Sequence, residues 1–390
     1  MPGSIACWIC ASIEKALASA GWAVSSAVER SQSPRSRRMY AILLICSGLW
    51  FGSPAIDDVT TAPLSHLAEA LSSAPDLDSK LRAIAEIARR GPDAVRILPA
   101  VVKLATDKEP RLRRYAMYAI KQMGMVARAG VPALIATLTR DSDEETRCIA
   151  ADALGRMASE AQEARPAVAI CALITGPAID GGGWSALACA PQALLPAQTI
   201  RDLIPAVTAL ASTLKEGEVG AHASLALRRM GPLARSAQPE LTRALQNKEV
   251  RAHAAQTLAH LGLIEPLAEA LKDKDEDLRV EAVLALGLAG KAGVPALRTA
   301  LADREVDVRL NAVVALGKIG PASAEATGDL AKLLKDMVEE VRLRAARALG
   351  AIGPAAAAAL PALEEASKND KAQRVKEAAE EAIEIIRKKR

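Results

Sequence analysis

Of the four histidines in this 390-residue chain, three, His222, His253 and His260, lie within one stretch of the second half. Imidazole is basic near neutral pH, and two imidazoles with a carboxylate can hold a divalent metal ion. The carboxylate would be Glu281, because His222, His253 and Glu281 occupy the same place in three consecutive copies of a repeated string. The spacing argues against a shared ion. If each copy is a helix, neighbouring axes lie about 8–10 Å apart, whereas metal–ligand bonds are about 2 Å long. These residues read as surface histidines, and no metal is assigned. Cys7-Trp8-Ile9-Cys10 is a lone CxxC without a second pair or a βαβ setting, so neither a zinc nor a redox role follows. Gly181-Gly182-Gly183 lacks the Lys-Ser/Thr that continues a phosphate-binding loop; it reads as a long inter-helix loop, with Trp184 beside it as a candidate anchor. No Ser-His-Asp, Cys-His or paired-carboxylate set can be assembled from spacing alone, so no catalytic residue and no cofactor are assigned.

The elements that must position such residues come from repetition. The string VRLRAARALGAIG, Val341 to Gly353, has related copies beginning at Ser79, Leu112, Thr146, Val219, Val250, Leu278, Val308 and Val375, with a decayed copy near Trp184. Steps of about 27 to 38 residues mean stacked supersecondary units, each packing on its neighbours. Hydrophobic residues make up 51% of the chain but aromatics only 2%, so the core is Ala, Leu, Val and Ile. That suits helix against helix and disfavours a sheet.

Each unit reads as two antiparallel helices. The first opens with a proline (Pro99, Pro132, Pro166, Pro205, Pro239, Pro266, Pro295, Pro361), whose missing N–H costs nothing in a first turn. The second carries the string. Ala at its fifth place (Ala116, Ala150, Ala223, Ala254, Ala282, Ala312, Ala345) permits close approach, and the aliphatic ninth place fills the core. Gly at the thirteenth (Gly91, Gly124, Gly231, Gly262, Gly290, Gly320, Gly353) suits a left-handed C-terminal cap. Asp107 and Arg113, Asp141 and Arg147, Asp273 and Arg279, Asp303 and Arg309, and Asp336 and Arg342 recur six apart. They predict Asp capping and a ladder of Asp–Arg bonds between adjacent units.

The full chain carries a net charge of +4, and residues 1–55 hold five basic residues (Lys15, Arg30, Arg35, Arg37, Arg38) against two acidic ones (Glu14, Glu29). The repeats are therefore close to neutral and lack the basic excess of a nucleic-acid binder. Residues 39–51, MYAILLICSGLWF, follow Arg35-Ser36-Arg37-Arg38 and precede Ser53-Pro54-Ala55. A basic flank, an apolar run shorter than the roughly 20 residues of a span, and small residues at the exit describe an export signal, or else a retained anchor. Residues 1–38 are long for such a signal, so Met39 is a second candidate start. The expected location is outside the cytoplasm or at its membrane, and cytoplasmic if 39–51 is not a signal. Cleavage after Ala55 leaves Cys148, Cys171 and Cys189, an odd count that reads as free buried thiols, although Cys171 and Cys189 could pair after export.

The pattern D-x-x-x-x-V-R-x-x-A-x-x-A-L-G-x-I-G resembles the HEAT repeat, in the short variety named after phycobilisome lyases, over roughly residues 64 to 386. The resemblance implies an all-α, right-handed α-solenoid of about ten helical hairpins. It would cover 64–390, interrupted by an irregular repeat at 166–202 and preceded by the leader or anchor, 1–55. It also implies a non-enzymatic scaffold that binds another protein, or alternatively a lyase-like or metal-dependent enzyme or enzyme subunit. The resembling hydroxylases hold di-iron with His-Glu dipeptides, whereas the histidines here precede Leu67, Ala223, Ala254 and Leu261. In resembling proteins the second helices line the concave surface, and the fourth, seventh and eleventh places of the string share one helical face. Those places hold Tyr115, Tyr118 and Gln122; Ile149, Asp152 and Arg156; His222, Leu225 and Arg229; His253, Gln256 and His260; Glu281, Leu284 and Leu288; Asn311, Val314 and Lys318; Arg344, Arg347 and Ala351. This face either contacts a partner or is an ordinary solvated surface. The polar members other than Asp152, with Tyr115 and Tyr118, are the candidate partner-binding residues.

Overall fold

Glycine at the thirteenth place of the string decides where each second helix stops. Gly91, Gly124, Gly231, Gly262, Gly290, Gly320 and Gly353 all adopt φ between 53° and 75°, a left-handed conformation that only glycine enters without a steric penalty. After most of them the chain runs through a short 3-10 segment, as at Gly91–Ile97, Gly231–Ala237 and Gly353–Ala359. The next helix then begins one residue before its proline, except at Thr327, which Gly328 follows.

The computed structural model describes residues 63–74, 76–175 and 185–388, with side chains placed outside 165–197. Among these residues eighteen α-helices alternate with turns, and no strand occurs. The first helices of the hairpins are α1 (Leu64–Ser73), α3 (Leu98–Lys103), α5 (Val131–Arg140), α7 (Ser185–Thr213), α9 (Gln238–Ala244), α11 (Glu265–Ala270), α13 (Val294–Ala300), α15 (Thr327–Lys332) and α17 (Leu360–Asn369). The second helices are α2 (Leu77–Arg90), α4 (Pro110–Met123), α6 (Glu144–Thr175), α8 (Gly217–Met230), α10 (Arg251–His260), α12 (Glu276–Leu288), α14 (Val306–Ile319), α16 (Glu339–Ile352) and α18 (Gln373–Lys388). The larger compact unit is Ala62–Glu160 with Thr199–Arg390, and Ala161–Gln198 falls outside it.

In the larger unit the core is one aliphatic row. Every fifth-place alanine from Ala116 to Ala345 and every ninth-place residue (Ile120, Leu154, Leu227, Leu258, Leu286, Leu316, Leu349) has no exposed surface. Successive second helices pack directly on one another from α2 to α4 and from α8 to α18. They also approach closely at a position the fifth-place alanines do not explain. A Cβ added to tenth-place Gly155 would lie 2.8 Å from Cα of Ala226, and Gly287, Gly317 and Gly350 would similarly meet Ala315, Ala348 and Ala382 at 3.0–3.3 Å. Glycine at place ten of one helix thus accepts alanine at place eight of the next.

The polar ladder forms. Arg113, Arg279, Arg309 and Arg342 each donate through Nε and Nη2 to the aspartate of the following unit, Asp141, Asp303, Asp336 and Asp370, at 2.7–3.2 Å. Through Nη1 each also donates to the carbonyl of its own unit's aspartate at 2.8–3.1 Å. A planar guanidinium matches this three-way geometry, which an ammonium cannot. The aspartates do not cap the first turn as expected. Oδ1 of each accepts the amide two residues on, at 2.8–3.0 Å, so the carboxylate closes the turn that delivers the N-cap residue.

Two expectations fail in one place. Pro166 and Pro205 do not open helices, because α6 and α7 run through them. The cause is Ala158, which stands at the thirteenth place of the Thr146 string where the other units have glycine. Without a left-handed cap α6 continues to Thr175. Beyond this interruption the stack resumes as if uninterrupted: Arg147 of α6 pairs with Glu216, 69 residues further along, in place of the next aspartate. The leader or anchor 1–55, Gly176-Pro177, the glycine triplet and Trp184 lie outside the described residues, as do the side chains of Cys171 and Cys189.

Candidate functional site

The fourth, seventh and eleventh places of the string fall on the solvent side of the second helices because places five and nine, on the opposite side, are in the core. From α4 to α16 this face carries the candidate residues, and the structure divides them into two groups by what their polar atoms already touch.

The first group is occupied. Lys121 Nζ of α4 donates to Asp152 Oδ2 of α6 at 2.9 Å, and Asp152 Oδ1 lies 3.0 Å from His222 Nδ1 of α8. Burial raises the Asp152 carboxyl, but His222 and Lys121 outweigh it and bring the group down to about 2. The same bond raises His222 above the ordinary imidazole value, with burial opposing. Gln122 Oε1 accepts from Arg156 Nη1 at 2.9 Å, Arg156 Nε donates to Glu160 Oε1 at 2.8 Å, and Glu160 Oε2 accepts the Met125 amide at 2.8 Å. Gln256 Oε1 accepts from Arg228 at 3.1 Å. Asn311 donates to the Asp307 carbonyl at 2.8 Å and Arg344 to Glu340 at 2.7 Å. These side chains fasten helix to helix or turn to turn.

The second group is open. Tyr115 and Tyr118 are 39% and 42% exposed, and Arg229, His253, His260, Lys318 and Arg347 are exposed as well. None of these has a hydrogen bond or ion pair among the described residues. Leu284 and Leu288, 46% and 70% exposed, add apolar surface on α12. Glu281 lines a shallow groove with Lys248, Arg251, Glu276, Asp277 and Asn311, and Arg347 lines another with Ala351, Glu381 and Ile385.

The histidines do not converge. Among the described residues the metal-ligand atoms gathered around His222 are those of Cys148 and Glu218; His253, His260 and Glu281 are not part of the group. Sequence reasoning passed over Lys121 and Glu218, read Cys148 only as a buried thiol and counted Asp152 only as a variable surface place. Cys148 and Asp152 are four apart on one helix, and Glu218 and His222 four apart on another, so each pair was visible. Nothing local shows that the two helices are neighbours.

Antiparallel helix pairs whose second members stack on one another, tied by a ladder from unit to unit, define an α-solenoid. Residues 264–327 and 294–384 match the family model for HEAT repeats. No curated protein matches it. Among solved structures, Kap95p, studied in its binding to RanGDP, is similar at 10% identity over 92% of this chain and 50% of its own, with a TM-score of 0.50. Kap121p is similar at 15% identity over 92% of this chain and 44% of its own, TM-score 0.44. An engineered protein is similar at 22% identity over 84% of this chain and 99% of its own, TM-score 0.32. The chain thus spans half or less of the karyopherins it resembles, and the likeness concerns the fold alone.

Proposed function

We propose that this chain is a non-enzymatic scaffold that holds a protein partner along the exposed face of its second helices. One observation carries the reading. Most polar groups of the repeat are spent inside the stack, yet Tyr115, Tyr118 and Arg347 stand exposed on α4 and α16 with no partner among the described residues. Tyrosine and arginine are the types that anchor protein interfaces, since each offers a large contact area with a polar end. Kap95p, of similar fold, binds RanGDP, in keeping with a protein as the ligand of such an array. The partner lies along the concave side, and residues 39–51 carry the chain out of the cytoplasm before it meets that partner.

Affinity capture with wild type and with the Tyr115→Ala/Tyr118→Ala/Arg347→Glu triple variant tests this. The variant keeps its helical circular dichroism, because all three side chains are exposed, and loses its captured partners at least about tenfold, as expected when hot-spot residues are removed. An unchanged set of partners would sink the proposal. N-terminal sequencing of the secreted or membrane fraction tests export: a mature start near Ile56 is expected, and a full-length cytoplasmic chain overturns it.

A further inference from the structure

We infer that Cys148, Glu218 and His222 together hold one divalent cation, and that the chemistry of the set fits Zn²⁺. The thiol sulfur, a carboxylate oxygen and an imidazole nitrogen all lie within 4.8 Å of one another. Helix α6 supplies Cys148, and α8 supplies Glu218 and His222 from the same face one turn apart. Thiolate, imidazole and carboxylate form a borderline-soft set, which favours Zn²⁺ over the all-oxygen preferences of Mg²⁺ and Ca²⁺. Bonds of about 2.0–2.3 Å place tetrahedral ligands roughly 3.5 Å apart, so the donors must close by about 1 Å. Glu218, exposed in the first turn of α8, is free to rotate inward by that much. The buried Cys148 fixes the inner end, and the solvent side gives the ion its way in and leaves the fourth position to water.

The surroundings are built to the same end. Asp152 holds His222 at Nδ1, 3.0 Å away, leaving Nε2 as the nitrogen with a free lone pair, the arrangement in which an outer carboxylate orients a metal-bound imidazole. Lys121 in turn holds Asp152 at 2.9 Å. With the ion bound, the charges of Cys148 thiolate, Glu218, Asp152 and Lys121 balance a dication. Without it, Cys148 is a buried free thiol, protonated near neutral pH. Binding therefore replaces the S–H bond by a sulfur–metal bond and releases one proton to solvent.

Titration of the reduced full-length chain with Co²⁺, followed optically, tests the site. One equivalent is expected to give the intense near-ultraviolet band of a thiolate–cobalt bond with visible bands of tetrahedral intensity, and Zn²⁺ should bleach both. Cys148→Ser removes the near-ultraviolet band. Glu218→Gln, on an exposed side chain that cannot unfold the protein, weakens binding at least tenfold, and Asp152→Asn weakens it about 10- to 100-fold. No band in wild type, or a band that survives Cys148→Ser, overturns the site, and neither result touches the capture experiment above.

Discussion

Arg279 shows how a single residue joins two units. Its side chain is 4% exposed and that of Asp303 is 11% exposed, so the pair is largely withdrawn from water, and its hydrogen bonds satisfy both partners. Removing one partner of such a pair strands the other charge, which costs about 3–5 kcal/mol. Arg279→Ala should lower the urea midpoint accordingly. Lys272→Ala, which breaks a pair exposed on both sides (73% and 74%), should leave the midpoint where it was. The ladder also sets the response to acid. Burial raises the Asp141 and Asp303 carboxyls, but Arg113 and Arg279 outweigh it, and Arg342 acts on Asp370 in the same sense, so all three lie below the ordinary carboxylate value. A depressed folded pKa contributes stability that is complete above the unfolded value, about 3.9, and fades as pH falls through the folded value. The stability gap between wild type and Asp303→Asn is therefore expected to be constant above about pH 5 and to close below about pH 4. A gap that persists undiminished at pH 2 would remove the ladder as its source.

At the scale of helices, glycine has three different roles that one substitution separates. Gly155→Ala drives a methyl to 2.8 Å from the Ala226 backbone, an overpacking that costs about 1–3 kcal/mol. Gly353→Ala meets nothing within 4 Å but must hold φ near 75°, at a cost of about 1 kcal/mol or more. Gly328→Ala in α15 has neither problem and should raise stability by about 0.4–1 kcal/mol through the unfolded state. Denaturant curves of the three variants check the order. Equal effects would mean that the second helices do not touch at places ten and eight. Both the thirteenth-place caps and the fifth- and ninth-place core were legible in the sequence, because a helix stop and a buried stripe are local and periodic. The contact between places ten and eight involves two helices about 30 residues apart, and only packing reveals it.

For the molecule as a whole, stacking in one dimension means that each helix is stabilised mainly by its neighbours. Helix α18 buries Val375, Ala379, Ile383 and Ile386 while turning Glu377, Glu380, Glu381 and Glu384 outward, so it covers the apolar side of α16 and α17 with a charged face. Deleting Gln373–Lys388 exposes the α16 surface it covers, and sedimentation velocity should then show more self-association than the full chain at the same concentration. A truncated chain that self-associates no more and is equally stable would deny α18 that role. The interruption between α6 and α8 matters on this scale too. Arg147–Glu216 and Asp152–His222 join residues 69 and 70 apart, so the ladder crosses the interruption and keeps the larger unit in one piece.

The amino-acid sequence by itself determined the hairpin, its caps, its buried stripe and the arginine–aspartate register, because each depends on residues within a few helical turns. It also contained the reason α6 overruns, the alanine at 158, although that signal lies in a missing glycine. Which helix lies beside which after the interruption was decided only in three dimensions. No local propensity distinguishes Glu216 from the other carboxylates as the partner of Arg147. Burial of the Gly155–Ala226 contact brings α8 against α6, and that packing places Lys121, Asp152, His222 and Cys148 in one cluster.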